Sequence, residues 1–246
     1  MKTLLALLTG LSISFEGVAQ SLPANDIIAR SEVLTQKSDK KSWNLNGTLK
    51  TSMNLASSVI GRHSSGSAVY RITVTDGMDS RNELIEKSDD KDSSFTKFLA
   101  RESERRLDKP AFRTFESAYP WERYLARANE KKTFTAEIVS DTSMMAGKRC
   151  YEIHFELDAE GDSLSAEGEG IIWIDAATLF PVRTYHDFSV SGTRGIAEVR
   201  SFSDFAELQG GIPVLVRSEI QTMPKFLFLK IGTIKIVIEQ TDFNLE

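Results

Sequence analysis

The sequence predicts a mainly β domain of the α+β class, a curved, incomplete antiparallel barrel of about 8–11 strands covered by helices. Three observations predict it. From Trp43 onward, apolar residues recur mostly with a period of two, the repeat of a strand whose successive side chains point to opposite faces. Most of these segments are apolar on one side and polar on the other, so one face of the sheet has to be covered. Helical spacing appears in two places, near residues 23–36 and within 88–132. A second sheet or full closure into a barrel would also cover the apolar face. Helices with apolar sides favour a third solution, in which the sheet curls and the helices lie over its opening. Where they do not fill the concave space, a hydrophobic cavity remains.

The first 19 residues read as a cleavable export signal: Lys2, the apolar run Leu4–Phe15, then small residues Gly17–Ala19 before Gln20. The run is too short to cross a bilayer. No cysteine stands at the cut, so no lipid attachment is expected, and residues 20–246 are expected to form a single soluble exported domain. In Pro23–Gln36, Ile27, Ile28, Val33 and Leu34 give a rough apolar stripe, with Asn25 or Asp26 as cap.

The period then changes to two. Trp43, Leu45, Leu49, Met53 and Leu55 alternate with polar neighbours, "GRHSSGS" at Gly61–Ser67 supplies a turn, and Tyr70, Ile72 and Val74 return in phase. Residues 88–132 read as a charge-rich helical insertion. "KSDDKDSS" opens it as a solvated loop, Phe95, Phe98 and Leu99 follow at helical spacing, and Pro120 introduces Trp121, Tyr124, Leu125 and Ala128 on one side. From Thr133 the chain is nearly all strand. Phe134, Ala136 and Ile138 share a face; Tyr151, Ile153, Phe155 and Leu157 oppose Glu152, His154, Glu156 and Asp158; Ile212, Val214, Val216 and Ile220 are in phase, as are Ile234, Ile236 and Ile238.

Composition narrows the function. A net charge of −5, with acidic and basic residues intermixed, gives no basic stripe for nucleic acid. Cys150 is the sole cysteine, so no internal disulfide forms, and at the head of an alternating strand it reads as a packing residue. There is no phosphate-binding glycine loop and no G-x-S-x-G elbow. His63, His154 and His186 are far apart and lack zinc-ligand spacing. His63 lies beside serines in its turn, but triad partners normally converge from distant segments. No catalytic residue, metal ligand or cofactor is assigned. His186 stands out because Phe180, Val182, Thr184, His186, Phe188 and Val190 share an apolar row, while Arg183, Tyr185 and Asp187 point the other way. Two readings stay open for it: a half-buried histidine bonded to a neighbouring element, or a polar anchor inside a greasy pocket.

The order of motifs in residues 168–246 resembles the periplasmic LolA/LolB-like group of outer-membrane lipoprotein-sorting proteins. Trp173 and Asp175 end a strand, Pro181 follows a loop, Phe202, Asp204 and Phe205 mark the next strand, and Gly211, Ile212 and Pro213 precede another. The final strand ends near Asn244. The hairpin after Ile72 and the charge of the insertion depart from that group, so no lid residue of its carriers is transferred. The resemblance implies a half-barrel whose apolar interior holds the acyl chains of a lipoprotein or lipid, received from and passed to envelope proteins, with peripheral membrane contact compatible. The expected interior is Trp43, Leu45, Leu49, Tyr70, Ile72, Tyr151, Ile153, Phe155, His186, Phe188, Ile234, Ile236 and Ile238, and the expected lid is Phe95, Phe98, Leu99, Trp121, Tyr124 and Leu125. The alternative is a regulatory or scaffold module of the envelope that binds a protein partner.

Overall fold

The computed structural model describes residues 23–39, 44–57, 62–75, 79–89, 118–193, 195–208, 212–226, 229–230 and 232–245. Helix α1 (Ala24–Asp39) is followed by strands β1 (Leu45–Ser57), β2 (Arg62–Thr75) and β3 (Asp79–Asp89), then by a one-turn helix α2 (Glu122–Leu125). The remaining strands are β4 (Lys131–Met145), β5 (Lys148–Glu160), β6 (Leu164–Asp175), β7 (Pro181–Gly192), β8 (Gly195–Leu208), β9 (Ile212–Phe226), β10 (Leu229–Lys230) and β11 (Thr233–Leu245). All eleven belong to one sheet in the order β3-β2-β1-β11-β9-β8-β7-β6-β5-β4, with β10 beside β9. Every pairing is antiparallel, and β3 and β4 are not joined, so the sheet is open.

Alternation holds where it is cleanest in the sequence. Along β5, Ile153, Phe155, Leu157 and Ala159 are buried; along β7, Val182, Thr184, His186 and Phe188 are. The opposite face is a lattice of cross-strand charge pairs: Arg183 Nε to Asp204 Oδ1 at 2.7 Å, Arg200 Nε to Asp187 Oδ2 at 2.7 Å, Lys225 Nζ to Glu198 Oε1 at 2.7 Å and Lys235 Nζ to Glu219 Oε1 at 2.6 Å. Exposed pairs of this kind contribute little each, about 0–1 kcal/mol, but they set register by matching opposite signs across neighbouring strands. The apolar face therefore faces inward by default.

Several expectations need correction. Arg62–Ser67 form strand, not turn, pairing with Ser52–Ser57 of β1; the ladder is made by backbone groups, which small polar residues supply as well as any. Of the expected helical insertion, residues 88–89 belong to β3, residues 131–132 belong to β4, and α2 is only four residues long. It stops because the amides of Asn129 and Glu130 donate to Glu160 O, 3.1 and 3.0 Å away, which docks the chain on the end of β5. Phe95, Phe98, Leu99 and Trp43 lie outside the described residues. Helix α1 begins at Ala24, so Asn25 and Asp26 sit inside its first turn rather than capping it. Its buried stripe runs Ala24, Ile27, Ile28, Ser31 and Thr35, while Val33 is exposed. The expected phase of β9 breaks at a bulge opposite Asp204/Phe205, so consecutive Val214 and Leu215 are both buried, each in a different cluster. Strand β3 carries no alternation to read, because the side chains at 83–88 are all exposed.

The stretch Gly170–Phe188 is strand, corner, strand. Asp175 Oδ1 accepts from the amide of Ala177 at 2.8 Å, Leu179 takes a positive φ of 58°, and Pro181 opens β7. Gly170 pairs with Phe155 on β5 and His186 on β7. A Cβ there would stand 2.3 Å from Phe155 Cζ and 2.4 Å from Tyr185 O, so the ring of Phe155 lies directly over the glycine. Gly170→Ala is expected to lower stability by about 1–3 kcal/mol, the cost of overpacking, as a shifted urea midpoint with unchanged m-value. A neutral result would mean that Phe155 is free to move.

Candidate functional site

The inward face carries most of the expected interior, but in two large clusters rather than one. Ile153, Phe155 and Phe188 pack with Ala24, Ile27 and Ile28 of α1, with Ala118, Tyr119, Trp121 and Tyr124, and with Ile172, Ile174, Phe205 and Leu215; Tyr151 and Leu125 border them. Leu45, Leu49, Tyr70 and Ile72 pack with Val74, Ala68 and Val214, with Ile238 at the margin. Ile234 and Ile236 adjoin Met53 in a third, small cluster.

Aromatic rings organise the first cluster. Trp121 lies 4.5 Å from Phe155 in a T-shaped contact and 4.9 Å from Phe134; Tyr124 meets Phe188 edge-on at 5.6 Å. The expected lid residues Trp121 and Tyr124 are thus seated on the sheet. Two polar ties hold this segment from either side. Tyr119 Oη and Ser31 Oγ are 2.7 Å apart, linking it to α1, and Thr184 Oγ1 donates to Ala118 O at 3.0 Å, linking it to β7. Helix α1 packs against both β4 and β9, five strands apart in the sheet.

A groove of about 630 Å³ runs along the seam between α1, the 121–126 segment and β4. Its apolar lining comes from Ile28, Ala29, Trp121, Leu125, Ala126 and Phe134, and its polar lining from Asn25, Glu32, Glu122 and Lys132. Burial, together with the Glu122 charge, pushes the Glu32 carboxyl up to about 7, against a hydrogen bond from the Trp121 side chain that favours the ionised form.

His186 is buried on the inward face, its ring centroid 4.5 Å from that of Phe188. Burial and, secondarily, the nearby Arg123 guanidinium push its imidazole down to about 3, so it is neutral. Its Nε2 has no hydrogen-bond partner. The aspartates near it in sequence do not join it: Asp187 pairs with Arg200 on the outward face, and Asp175 pairs with Lys148 Nζ at 3.0 Å. Burial raises the Cys150 thiol, which is the wrong direction for a nucleophile. His154 sits between Glu137 and Glu169 on the outward face, its Nε2 3.5 Å from Glu169 Oε2, and His63 is exposed.

Glu32 and Tyr119 escaped sequence reading, because only the packing of α1 on the 118–125 segment brings them together. The buried serines of the inward face were readable by counting in twos, Ser201 and Ser203 back from Phe205 and Ser218 back from Ile220.

Glu32 and His186 have opposite effects on stability as pH changes. The folded state holds the Glu32 proton between about 4.5 and 7 while the unfolded chain releases it, so this term falls as pH rises through that window. Unfolded His186 takes up a proton below the ordinary imidazole value of 6.5 while the folded form does not until about 3, so this contribution falls as pH drops. Glu32→Gln should therefore steepen the rise of the unfolding midpoint between pH 4.5 and 6.5, and His186→Phe should flatten it. Equal slopes in wild type and both variants would contradict the two burials. The His186 ring resonances should not titrate between pH 5 and 8.

No protein-family model and no curated protein matches the chain. Among solved structures it is similar to a DUF1329 family protein from Desulfovibrio piger, with 12% identity and a TM-score of 0.34 over 92% of this chain and 94% of that one. It is similar to a LolA superfamily protein from Nitrosomonas europaea, at 10% identity and a TM-score of 0.33 over 92% and 94%. It is also similar to an outer membrane lipoprotein-sorting protein domain from Vibrio parahaemolyticus, at 7% identity and a TM-score of 0.34 over 91% and 92%. The last two carry the names that the C-terminal motifs suggested, and the likeness extends no further than overall fold. No helix among the described residues is long and apolar enough to cross a membrane.

Proposed function

We propose that the protein is a non-catalytic carrier or binding protein of the periplasm, exported by its N-terminal signal, that holds the acyl chains of a lipoprotein or another amphipathic lipid. The sheet curls around α1 as an incomplete barrel, and α1 with the 118–125 segment forms its cover. The observation that carries this reading is the seam: a groove of about 630 Å³ with one apolar wall and a polar rim, within the usual range of ligand sites, opens where the cover meets the edge of the apolar face. Behind it lies the aromatic cluster of Trp121, Phe134 and Phe155. Each methylene moved from water into such a place contributes about 0.8 kcal/mol, so a single long chain supplies enough driving force without a covalent step. The neutral, unaccompanied His186 and the buried, raised thiol of Cys150 support a binding rather than a chemical role.

A regulatory or scaffold module is the second reading. It is favoured by edge strand β3, where Leu84 and Ile85 are 44% and 54% exposed. A bulge beside Leu84 and the charges of Glu83, Glu86 and Lys87 guard that edge against indiscriminate pairing.

Organic extraction of the purified protein followed by mass spectrometry should recover acyl lipid. A fluorescent lipid analogue should bind and be displaced by long-chain amphiphiles. Leu125→Arg, which puts a charge in the groove, should weaken analogue binding about tenfold or more while the far-UV circular dichroism is kept. Absence of both lipid and analogue binding would reject the carrier. Loss of a captured protein partner in Leu84→Lys, with lipid absent, would favour the second reading.

A further inference from the structure

We propose that a belt of small polar side chains crossing the apolar face binds an uncharged, hydrogen-bond-donating head of an amphiphile, an alcohol or amide N–H. His186 Nε2, Thr51 Oγ1 and Gln240 Oε1 are its open hydrogen-bonding atoms. The proposal rests on the carrier reading and names the ligand class within it.

The register builds the belt. His186 stands opposite Ser201 across β7 and β8. In the next row, Ser203 faces Ser218, Ser218 faces Ile238, and Ile238 faces Thr51. Gln240 lies two residues along β11 from Ile238, opposite Leu49, and so shares the face with Thr51. All six polar residues are buried on the side of the sheet that otherwise carries Phe155, Phe188, Leu49 and Ile72. Ser203 and Ser218 satisfy each other at 3.1 Å. The atoms Nε2 of His186, Oγ1 of Thr51 and Oε1 of Gln240 are buried without a partner. Folding alone gives no reason for this arrangement, since valine or leucine would cover the face without leaving polar atoms unpaired.

The chemistry of the three atoms selects the ligand. An amide oxygen only accepts, so Gln240 Oε1 requires a donor. A threonine hydroxyl and a neutral imidazole each donate or accept, and both are satisfied by an alcohol or amide. A simple ester offers acceptors alone and leaves Gln240 unmet. His186 on β7 and Thr51 on β1 are four strand spacings apart, about 19 Å along the sheet, with Gln240 on β11 one strand nearer, so each end takes its own polar group. Access requires the 118–125 segment to lift, because its Ala118 carbonyl is held by Thr184, which faces Ser203 in the same row.

The test is competition against a bound fluorescent lipid analogue by three neutral compounds of equal acyl length: monolaurin, lauramide and methyl laurate. Monolaurin and lauramide should displace the analogue at concentrations about tenfold or more below methyl laurate, although methyl laurate is the most hydrophobic of the three. In Thr51→Val/Gln240→Leu/His186→Phe that preference should vanish while analogue binding persists. Should the triple variant fail to fold, the wild-type preference stands as the test by itself, and Gln240→Leu alone should narrow it. Equal displacement by all three compounds in the wild type, or a preference that survives the triple substitution, overturns the belt and leaves the carrier intact. Failure of the analogue to bind the wild type at all overturns both.

Discussion

Strand β11 pairs with β1 over Leu45–Ala56 and with β9 over Arg217–Thr222, and that double pairing joins two meanders that would otherwise be separate sheets. Strands β1–β3 form one meander and β4–β9 the other, each linked by local hairpins. Only the last strand bridges them. Without it, the clusters around Leu49 and Phe155 would lose their common face, and β1 and β9 would each show an unpaired edge. The closure sets Leu45 against Leu245, 200 residues apart in the chain, so it carries a large loop-closure cost. The bulge between Asn46 and Thr48, with Asp242 at a φ of 57°, lets β11 stay in register while the sheet twists beside it.

The two faces of this sheet do different work. Outward, charged pairs such as Arg183–Asp204 and Arg200–Asp187 match across strands, and a shallow groove of about 640 Å³ among Glu156, Glu167, Glu169, Asp187, Glu198, Arg200 and their neighbours stays wet. Inward, area is buried but not uniformly. The rings of Trp121, Phe155 and Phe188 make one end dense, whereas Ser201, Ser203 and Ser218 make the middle lean in volume and rich in polar atoms. A face meant only to close a core would be apolar throughout, because each unpaired polar atom costs about 1–3 kcal/mol.

Much of this was legible in the sequence where side chains alternate against a consistent environment. The rows Ile153–Phe155–Leu157 and Thr184–His186–Phe188 needed only counting by twos, and Asp175 and Pro181 marked their corner by turn chemistry. Legibility failed where backbone decided. The described side chains of β3 are all exposed, so nothing in them announces pairing. Gly61–Ser67 look like a turn, but Arg62–Ser67 extend the ladder of β2. The "WERYLARA" segment has the spacing of a longer helix and is cut to one turn by a carbonyl from β5. The order of the strands, with β11 between β1 and β9, has no local signature at all, and so neither the continuity of the belt nor the union of α1 with the 118–125 segment could be foreseen.

Thr184 connects the cover to the interior. Its hydroxyl holds Ala118 O, which seats the segment carrying Trp121 and Tyr124, and its position opposite Ser203 places it in the polar row of the sheet. If the segment lifted, as the carrier reading requires, that bond would break and return a donor to the row. On the other side, Ser31 and Tyr119 hold each other beside the half-buried Glu32, whose carboxyl burial pushes up to about 7. The cover is therefore fixed mainly by aromatic contact and only lightly by polar bonds, about 0.5–1.5 kcal/mol each. On the carrier reading, an acyl chain would replace the contacts of Trp121 and Tyr124 with its own methylenes and so offset part of what opening costs. Under that proposal, the bonds lost at Thr184 and Ser31 would be replaced by the ligand's own polar groups, which would tie occupancy of the apolar face to the chemistry of the head.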